Sequence, residues 1–538
     1  MTRSPSDILA SAAQEYHDRP LFKIPRVDPR SGNITEYTSI SYSQFAADVD
    51  TYARHWCRIL RKDGVARGSV VGLWLGGFTT TDVLHIYGLS RAGYIPQLFS
   101  LRLPNPTVIY ELLHRANAKA LIFDHSYKHL VDQCPIPCHV AVGVDAVDPR
   151  NEPLPPRPVI TAKDTLFIFH TSGSTSGSPK LVPCGYQWLV STVQKSHLIC
   201  RPRDRSRQDV TAWMGSMCHI AQEFMLIGAI QHGTCIVQPT KPGFDSAELF
   251  DMVGRCGLNR LNQFGSYLGG HLRNSHMDPK LLHVLKSLDD VLYTGLALPV
   301  EEERWAVSSG IKLRNLFGNT ECGAMLLSVE GNPSLVKPLE GFSYRFVPHF
   351  NTQPEPNAHQ SSGRLYELVI LSDSPDCPAP SLRHADGHFH TGDLFREASN
   401  GRYIPHGRDD DWIKSENSLR CDTKSIEDHA RLHCKALIGE CIVVGSGRPS
   451  PAMFVEPSPS SANEDPERLR RKIWSRIREF HGKRYLHESL IPELIIIVPA
   501  MSLPRTATKG NVRRQAVEEA YKGNLDQLYA SLATKARR

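Results

Sequence analysis

What the sequence lacks narrows its function before any motif is read. No apolar run approaches the roughly 20 residues a membrane helix requires. The best stretch, 490–501, is shorter and contains Glu493. The opening Met-Thr-Arg-Ser-Pro-Ser-Asp has no apolar core for a signal peptide, and the final Ala-Arg-Arg is not a peroxisomal address. A cytoplasmic protein with no membrane span is therefore expected. Zinc-finger spacing is missing from the 13 cysteines. Cys134 and Cys138 stand together, but no second pair or histidines match them, so reduced thiols are expected rather than a disulfide framework. Concentrated basic charge is also absent. The chain carries 62 Lys and Arg against 56 Asp and Glu, a formal +6, with only short clusters at 201–207 and 535–538. That distribution excludes a nucleic-acid-binding stripe, while its sign suits an anionic small molecule. The G-x-x-x-x-G-K-[ST] spacing of a P-loop occurs nowhere.

What is present is a long chain of balanced composition. Its 538 residues, 41% hydrophobic and 22% charged, exceed one compact domain. From about 8 to 330, helical patterns alternate with short apolar runs: strand-like 69–75 (SVVGLWL), helical 81–92 ending at Gly93, and strand-like 118–123. Such alternation predicts parallel βαβ units. From 364 the strands shorten, at 365–371 and 401–405. Beyond 410 a small mixed region follows, with helices predicted at 424–435 and 466–480 and strands at 441–445 and 490–498. The expected fold class is α/β: a large multi-subdomain body over 1–409, built of parallel sheets flanked by helices plus a small β region, and a small mobile α+β domain over 410–538.

Five segments carry chemistry. In IFHTSGSTSGSPK (168–180) an apolar run enters a loop dense in Gly, Ser and Thr and closes on a lysine. Backbone N–H groups and hydroxyls there suit a polyphosphate, and a Ser/Gly linker is the competing reading. In LFGNTECG (316–323) a hydroxyl and a carboxylate follow a glycine turn; magnesium is often held by one or two carboxylates plus phosphates. FHTGDLF (389–395) presents one aspartate suited to two vicinal hydroxyls. GRDDDWIKSENSLRCDTKSIE (407–427) is an acidic cluster, read as a solvated turn or a metal site. PRTATKGNVRR (504–514) places a lysine beside a glycine on a basic loop, read as a charged tail or as a cation that reaches a phosphate. Each is weak alone.

In this order and at these separations, the five segments resemble the adenylate-forming (AMP-binding) superfamily, which includes acyl-coenzyme A synthetases, luciferase-type enzymes and nonribosomal peptide synthetase adenylation domains. The likeness runs from about residue 10 to about 520. It implies ATP and Mg²⁺ as cofactors. Thr171, Ser172, Gly173, Ser174, Thr175 and Lys180 would cradle the ATP phosphates. Gly295, Leu296 and Ala297, within YTGLALP, would line the adenine, with Phe317 stacked near it. Thr320 would contact phosphate, Glu321 the magnesium, Asp393 both ribose hydroxyls and Arg408 the same ribose. Asp410 would be the hinge and Lys509 the catalytic lysine. The sequence departs from the family pattern in three places: an extra residue near Ser176, the order Lys509-Gly510 where most members have Gly then Lys, and Asn417-Ser418 for Asn-Gly. In style it is similar to adenylation domains of fungal carboxylate-reductase-like synthetases, which suggests secondary metabolism.

Members that activate amino acids place an aspartate in a Phe-Asp-x-Ser segment to pair the α-ammonium; here Met217-Cys218-His219-Ile220 stands instead. A buried ammonium without an anionic partner is costly, so an aryl or aliphatic acid is expected. His219, Phe264, Gly265 and Ser266 are pocket candidates, with ordinary core packing as the alternative. About two dozen residues follow Arg514, too few for a carrier domain. The acyl acceptor is therefore expected from outside, as coenzyme A or as the phosphopantetheine of a carrier protein in trans. Formation of an amide and a catalytically degenerate nucleotide-binding protein are the remaining readings.

Overall fold

A computed structural model describes residues 4–101, 103, 105–147, 153–171, 180–295, 297–348, 365–399, 401–408, 412–414, 420–481, 488–505 and 512–536. The expected alternation resolves into two large sheets. The six-stranded sheet runs Cys138–Val140, Ala120–Phe123, Val70–Leu75, Ile95–Ser100, Thr165–Thr171, Lys180–Gly185. Its first five strands are parallel, and the last returns antiparallel as a hairpin. The strand VVGLWL forms because both of its faces are covered; its last five residues are buried, the pattern of a central parallel strand. Helix Thr80–Ala92 follows. A capping box between Thr79 and Asp82 starts it, and Gly93, at φ 88°, ends it.

The second sheet has thirteen strands. Six of them, in the order Pro20–Val27, Cys235–Val237, Val210–Ala212, Arg260–Phe264, Asp290–Thr294 and Leu313–Asn319, are mutually parallel. Beyond Leu313–Asn319 the ladder turns antiparallel. The short strands expected at 365–371 and 401–405 appear as Leu365–Ile370 and Arg402–Arg408. They extend this same sheet, because Val336 pairs with Tyr403.

After 412 the chain builds a three-stranded sheet, Ile438–Val444, Ala452–Pro457 and Ile495–Ile497, with helices Thr423–His433 and Pro466–His481. The strand expected over 490–498 is confined to three residues, because Pro492 opens a 3₁₀ turn at Pro492–Leu494. Two buried clusters here, one around Ile426, Val443 and Ile473 and one around Phe454, Val517 and Leu525, draw every member from residues after 412. Among the described residues no helix is long and apolar enough to cross a membrane.

Helix Ile220–His232 is buried along ten of its residues and carries one carboxylate into that interior. Glu223 is fully buried, its Oε1 accepts from the Tyr87 hydroxyl at 2.8 Å, and its Oε2 has no hydrogen-bond partner among the described residues. Burial raises its pKa from the ordinary 4.5 to about 7. The folded state thus holds a proton that the unfolded chain releases near 4.5, so this group's stabilisation is present below that pH and is lost as pH rises through 7. Glu223→Gln is expected to raise the melting temperature above pH 7, by up to about 3 kcal/mol in unfolding free energy, and to change little near pH 4.5. Thermal melts of both proteins across pH 5–8 check this, and parallel pH curves contradict it.

Candidate active site

Ligands of open α/β sheets bind beyond the carboxyl ends of parallel strands. Three adjacent strands end together here: Phe264 is the register partner of Thr294, and Thr294 of Leu316. Gly265, Gly295 and Phe317 therefore emerge side by side. The Thr294 hydroxyl ties the row by donating to the Leu316 carbonyl at 2.6 Å. Gly295 has φ +87°, and a Cβ there would lie 3.2 Å from the Phe264 ring. The expected adenine segment and the expected pocket segment are thus neighbours.

Phe264 organises the pocket candidates. The His219 ring stands edge-on to it at 5.8 Å, and a Cβ on Gly215 would lie 2.8 Å from its ring. His219 caps helix Ile220–His232, its Nδ1 accepting from the Ala221 N–H at 3.3 Å. Gln222 holds the preceding loop, its Oε1 accepting from Met214 N at 2.9 Å and Gly215 N at 3.1 Å. The six-stranded sheet reaches the same loop. Ser216 donates to the Gly76 carbonyl at 2.8 Å, and Met217 N to the Gly77 carbonyl at 2.7 Å.

The NTECG turn joins strands Leu313–Asn319 and Gly323–Val329. A Cβ on Gly318 would lie 2.4 Å from the Gly323 carbonyl oxygen, so only glycine fits there. Asn319 Oδ1 accepts from Cys322 N at 2.8 Å, which displays Thr320 and Glu321, both half-buried, at the tip. Burial first, and then the Glu223 and Glu321 carboxylates, push the Cys184 thiol well above its usual pKa. Glu321 is therefore in electrostatic reach of strand Lys180–Gly185. That strand is one arm of the hairpin whose ends, Thr171 and Lys180, face each other. Lys180 is exposed. Ser172, Gly173, Ser174 and Thr175, with Leu296, Asp410 and Lys509, lie outside the described residues; Ala297 is exposed.

Across the sheet, the Phe317 ring meets Phe395 edge-on at 5.1 Å. Phe395 shares strand Phe389–Ser399 with Asp393. Asp393 is 6% exposed, faces Arg408 in register, and accepts from its Nη1 at 3.1 Å. Gly392, at φ +69°, turns the backbone just before it. Among the described residues no cluster of three or more His, Cys, Asp or Glu is placed to hold a metal. A magnesium ion carried by nucleotide phosphates needs less than that, one or two carboxylates, and Glu321 is a half-buried oxygen donor beside the hairpin.

The model of the AMP-binding enzyme family matches residues 9–349, and that of its C-terminal domain matches 410–533. The chain belongs to the AMP-binding enzyme family. Its chemistry is ATP-dependent adenylation of a carboxylate. It is 36% identical over 513 residues to the AMP-binding domain-containing enzyme iboA of Amanita muscaria, covering 93% of this chain and 98% of that one. It is 24% identical over 575 residues to an adenylate-forming reductase of Serpula lacrymans, where it covers 97% of this chain but spans only 49% of the relative. Among solved structures, the adenylation domain of a carboxylate reductase from Mycobacterium chelonae has a TM-score of 0.74 at 17% identity, covering 98% of this chain and 91% of that one. O-succinylbenzoate coenzyme A synthetase from Bacillus subtilis in complex with AMP has a TM-score of 0.72 at 16% identity, covering 94% and 97%.

In this AMP-binding enzyme, sequence reasoning missed the residues that hold the site from behind. His170 precedes the segment expected to cradle phosphates. Its Nδ1 bonds the Leu98 carbonyl at 2.9 Å, its Nε2 faces Gln97 Nε2 at 3.1 Å, and its ring stacks on Phe99 at 4.5 Å. Burial lowers its pKa to about 4, so it is a neutral anchor at pH 7. Gly76 and Gly77 carried a signal, a glycine pair directly after an apolar strand, which marks a close backbone approach. His170 carried none, because its partners lie more than seventy positions away, and Gln222 bonds backbone N–H groups of a nearby loop that no residue pattern marks.

Proposed function

We propose that this enzyme converts an aryl or aliphatic carboxylic acid, rather than an α-amino acid, into an acyl-adenylate with release of pyrophosphate, and then transfers the acyl group to coenzyme A. The observation that carries the reading is the shared strand-end row: Phe264 with His219 and Gly215 on the acid side, and Gly295 and Phe317 on the nucleotide side. An acid bound against Phe264 would lie next to a nucleotide bound along Gly295. Thr320 would bind phosphate and Glu321 the magnesium, which neutralises phosphate charge when bound. Asp393 and Arg408 would hold the ribose, and the 171–180 loop the polyphosphate. The substrate carboxylate attacks the α-phosphorus and pyrophosphate leaves, so the protein contributes positioning and charge stabilisation and no nucleophile.

Residues 1–409 would form the body and 410–538 the lid that delivers Lys509, hinged at Asp410. The self-contained buried clusters after 412 and the separate match over 410–533 support that division. The likeness to a coenzyme A synthetase over nearly its full length supports the acceptor. Loading of a carrier protein in trans is the second reading, favoured by the match to the reductase adenylation domain.

The test is ATP–pyrophosphate exchange over panels of aryl, short-chain, fatty and α-amino acids, followed by coenzyme A consumption with the best acid. Exchange with one class of simple acid and thioester formation are expected. Selective exchange with α-amino acids overturns the substrate class. Exchange without coenzyme A consumption favours the carrier, and ATP binding without exchange on any acid marks a degenerate enzyme.

A further inference from the structure

The NTECG turn is held from beneath by a buried ion pair outside all five motifs. Lys195, on helix Tyr186–Cys200, is 1% exposed. Its Nζ donates to the Asp376 carboxylate at 2.6 Å and to the Cys322 carbonyl at 2.9 Å, and it lies 4.7 Å from the centre of the Phe342 ring. Asp376, 6% exposed, also accepts from the Tyr344 and Ser374 hydroxyls. The 374–377 loop is tied to the same helix, Ser191 Oγ donating to the Pro375 carbonyl at 2.8 Å. A buried lysine held by one carboxylate, one carbonyl and the face of Phe342 is costly to desolvate, and a buried pair is weak support for stability as such. The geometry supplies its use. Cys322 follows Glu321, its N–H is fixed by Asn319 and its carbonyl by Lys195. The helix carrying Lys195 begins where strand Lys180–Gly185, the arm closing the phosphate loop, ends.

We propose that Lys195, locked by Asp376, is a positioning residue that sets the Thr320–Glu321 turn for the magnesium-bound phosphates of ATP and couples that turn to the phosphate-loop hairpin. This rests on the metal role of Glu321 proposed above. Groups that orient metal ligands typically change metal affinity by about 10–100-fold when removed.

The experiment measures ATP binding by calorimetry in MgCl₂ and in EDTA, using the full-length chain. The variant is Lys195→Met with Asp376→Asn. It removes both charges together, fills the lysine's volume against Phe342, and keeps one of the two acceptor oxygens that Tyr344 and Ser374 use. The expected result is a loss of about 10-fold in the magnesium-dependent gain in ATP affinity, with affinity in EDTA unchanged. A purely structural role would weaken both conditions alike, and that outcome, or a wild-type magnesium gain in a folded variant, overturns the proposal. If the double variant does not fold, Asp376→Asn alone, isosteric, is read the same way, with a several-fold loss of the magnesium gain expected and no loss overturning it. A wild-type enzyme whose ATP binding ignores magnesium overturns the role of Glu321 itself, whereas a responsive wild type with an equally responsive variant overturns only the inference about Lys195.

Discussion

Lys509→Ala is expected to slow ATP–pyrophosphate exchange by about 10²–10³-fold, the cost of removing one charge-stabilising donor from a preorganised site, while ATP affinity changes little. The physical reason is timing. Negative charge moves from the attacking carboxylate towards the nucleotide oxygens only as the new bond forms, so a cation brought in by the lid stabilises the transition state more than bound ATP. The described segments on either side of this lysine pair with each other. Arg505 pairs with Val512 as an isolated antiparallel bridge, and Arg513 N donates to the Pro504 carbonyl at 2.9 Å. Glu456, 3% exposed, clamps that pairing through Arg505 Nη1 at 3.0 Å and Leu503 N at 2.8 Å. Burial opposes ionisation of Glu456, but these donors hold its pKa below the ordinary carboxylate value. Exchange kinetics set against equilibrium ATP binding provide the check. An equal loss of ATP affinity in Lys509→Ala would assign the lysine to ground-state binding and contradict the lid mechanism.

The sequence was most legible where local chemistry and tertiary role coincide. Gly93 reads correctly as a turn glycine at a helix end, whereas Gly318, read as the turn itself, sits inside strand Leu313–Asn319 just before it and is demanded by a backbone contact five residues away. Helix Thr80–Ala92 and helix Pro466–His481 lie within a residue of the helical patterns at 81–92 and 466–480. What escaped is long-range. Lys195 and Asp376 are 181 positions apart, and neither sits in a recognisable pattern. The small β region was legible as part of the body, but nothing local in YIPHG shows that Tyr403 will pair with Val336. The strand at 490–498 was overextended because an apolar run was weighed above the proline inside it. Motifs supply the groups proposed to touch ATP, whereas most of the groups that hold those segments in place depend on register and packing between distant parts of the chain.

Asp393→Asn is the second large effect expected: a rise of about 100-fold or more in the ATP concentration needed for half-maximal exchange. An ionised carboxylate accepting two ribose hydroxyls makes two charged hydrogen bonds, each worth about 1.5–3 kcal/mol. The structure favours a preorganised acceptor. Gly392 turns the chain, Asp393 N donates to Thr391 Oγ1 at 3.0 Å, and Arg408 holds Oδ1 at 3.1 Å. An amide keeps the volume but replaces one acceptor oxygen with a donor that opposes both a ribose hydroxyl and Arg408. Melting curves separate any loss of fold from loss of binding. The decisive readout is discrimination between nucleotides. The wild type is expected to prefer ATP strongly over 2′-deoxy- and 3′-deoxy-ATP, and Asp393→Asn to lose most of that preference, because the group that senses the hydroxyls no longer rewards them. A variant that binds all three nucleotides more weakly but keeps the wild-type ratios would show that Asp393 supports the strand and does not touch the ribose.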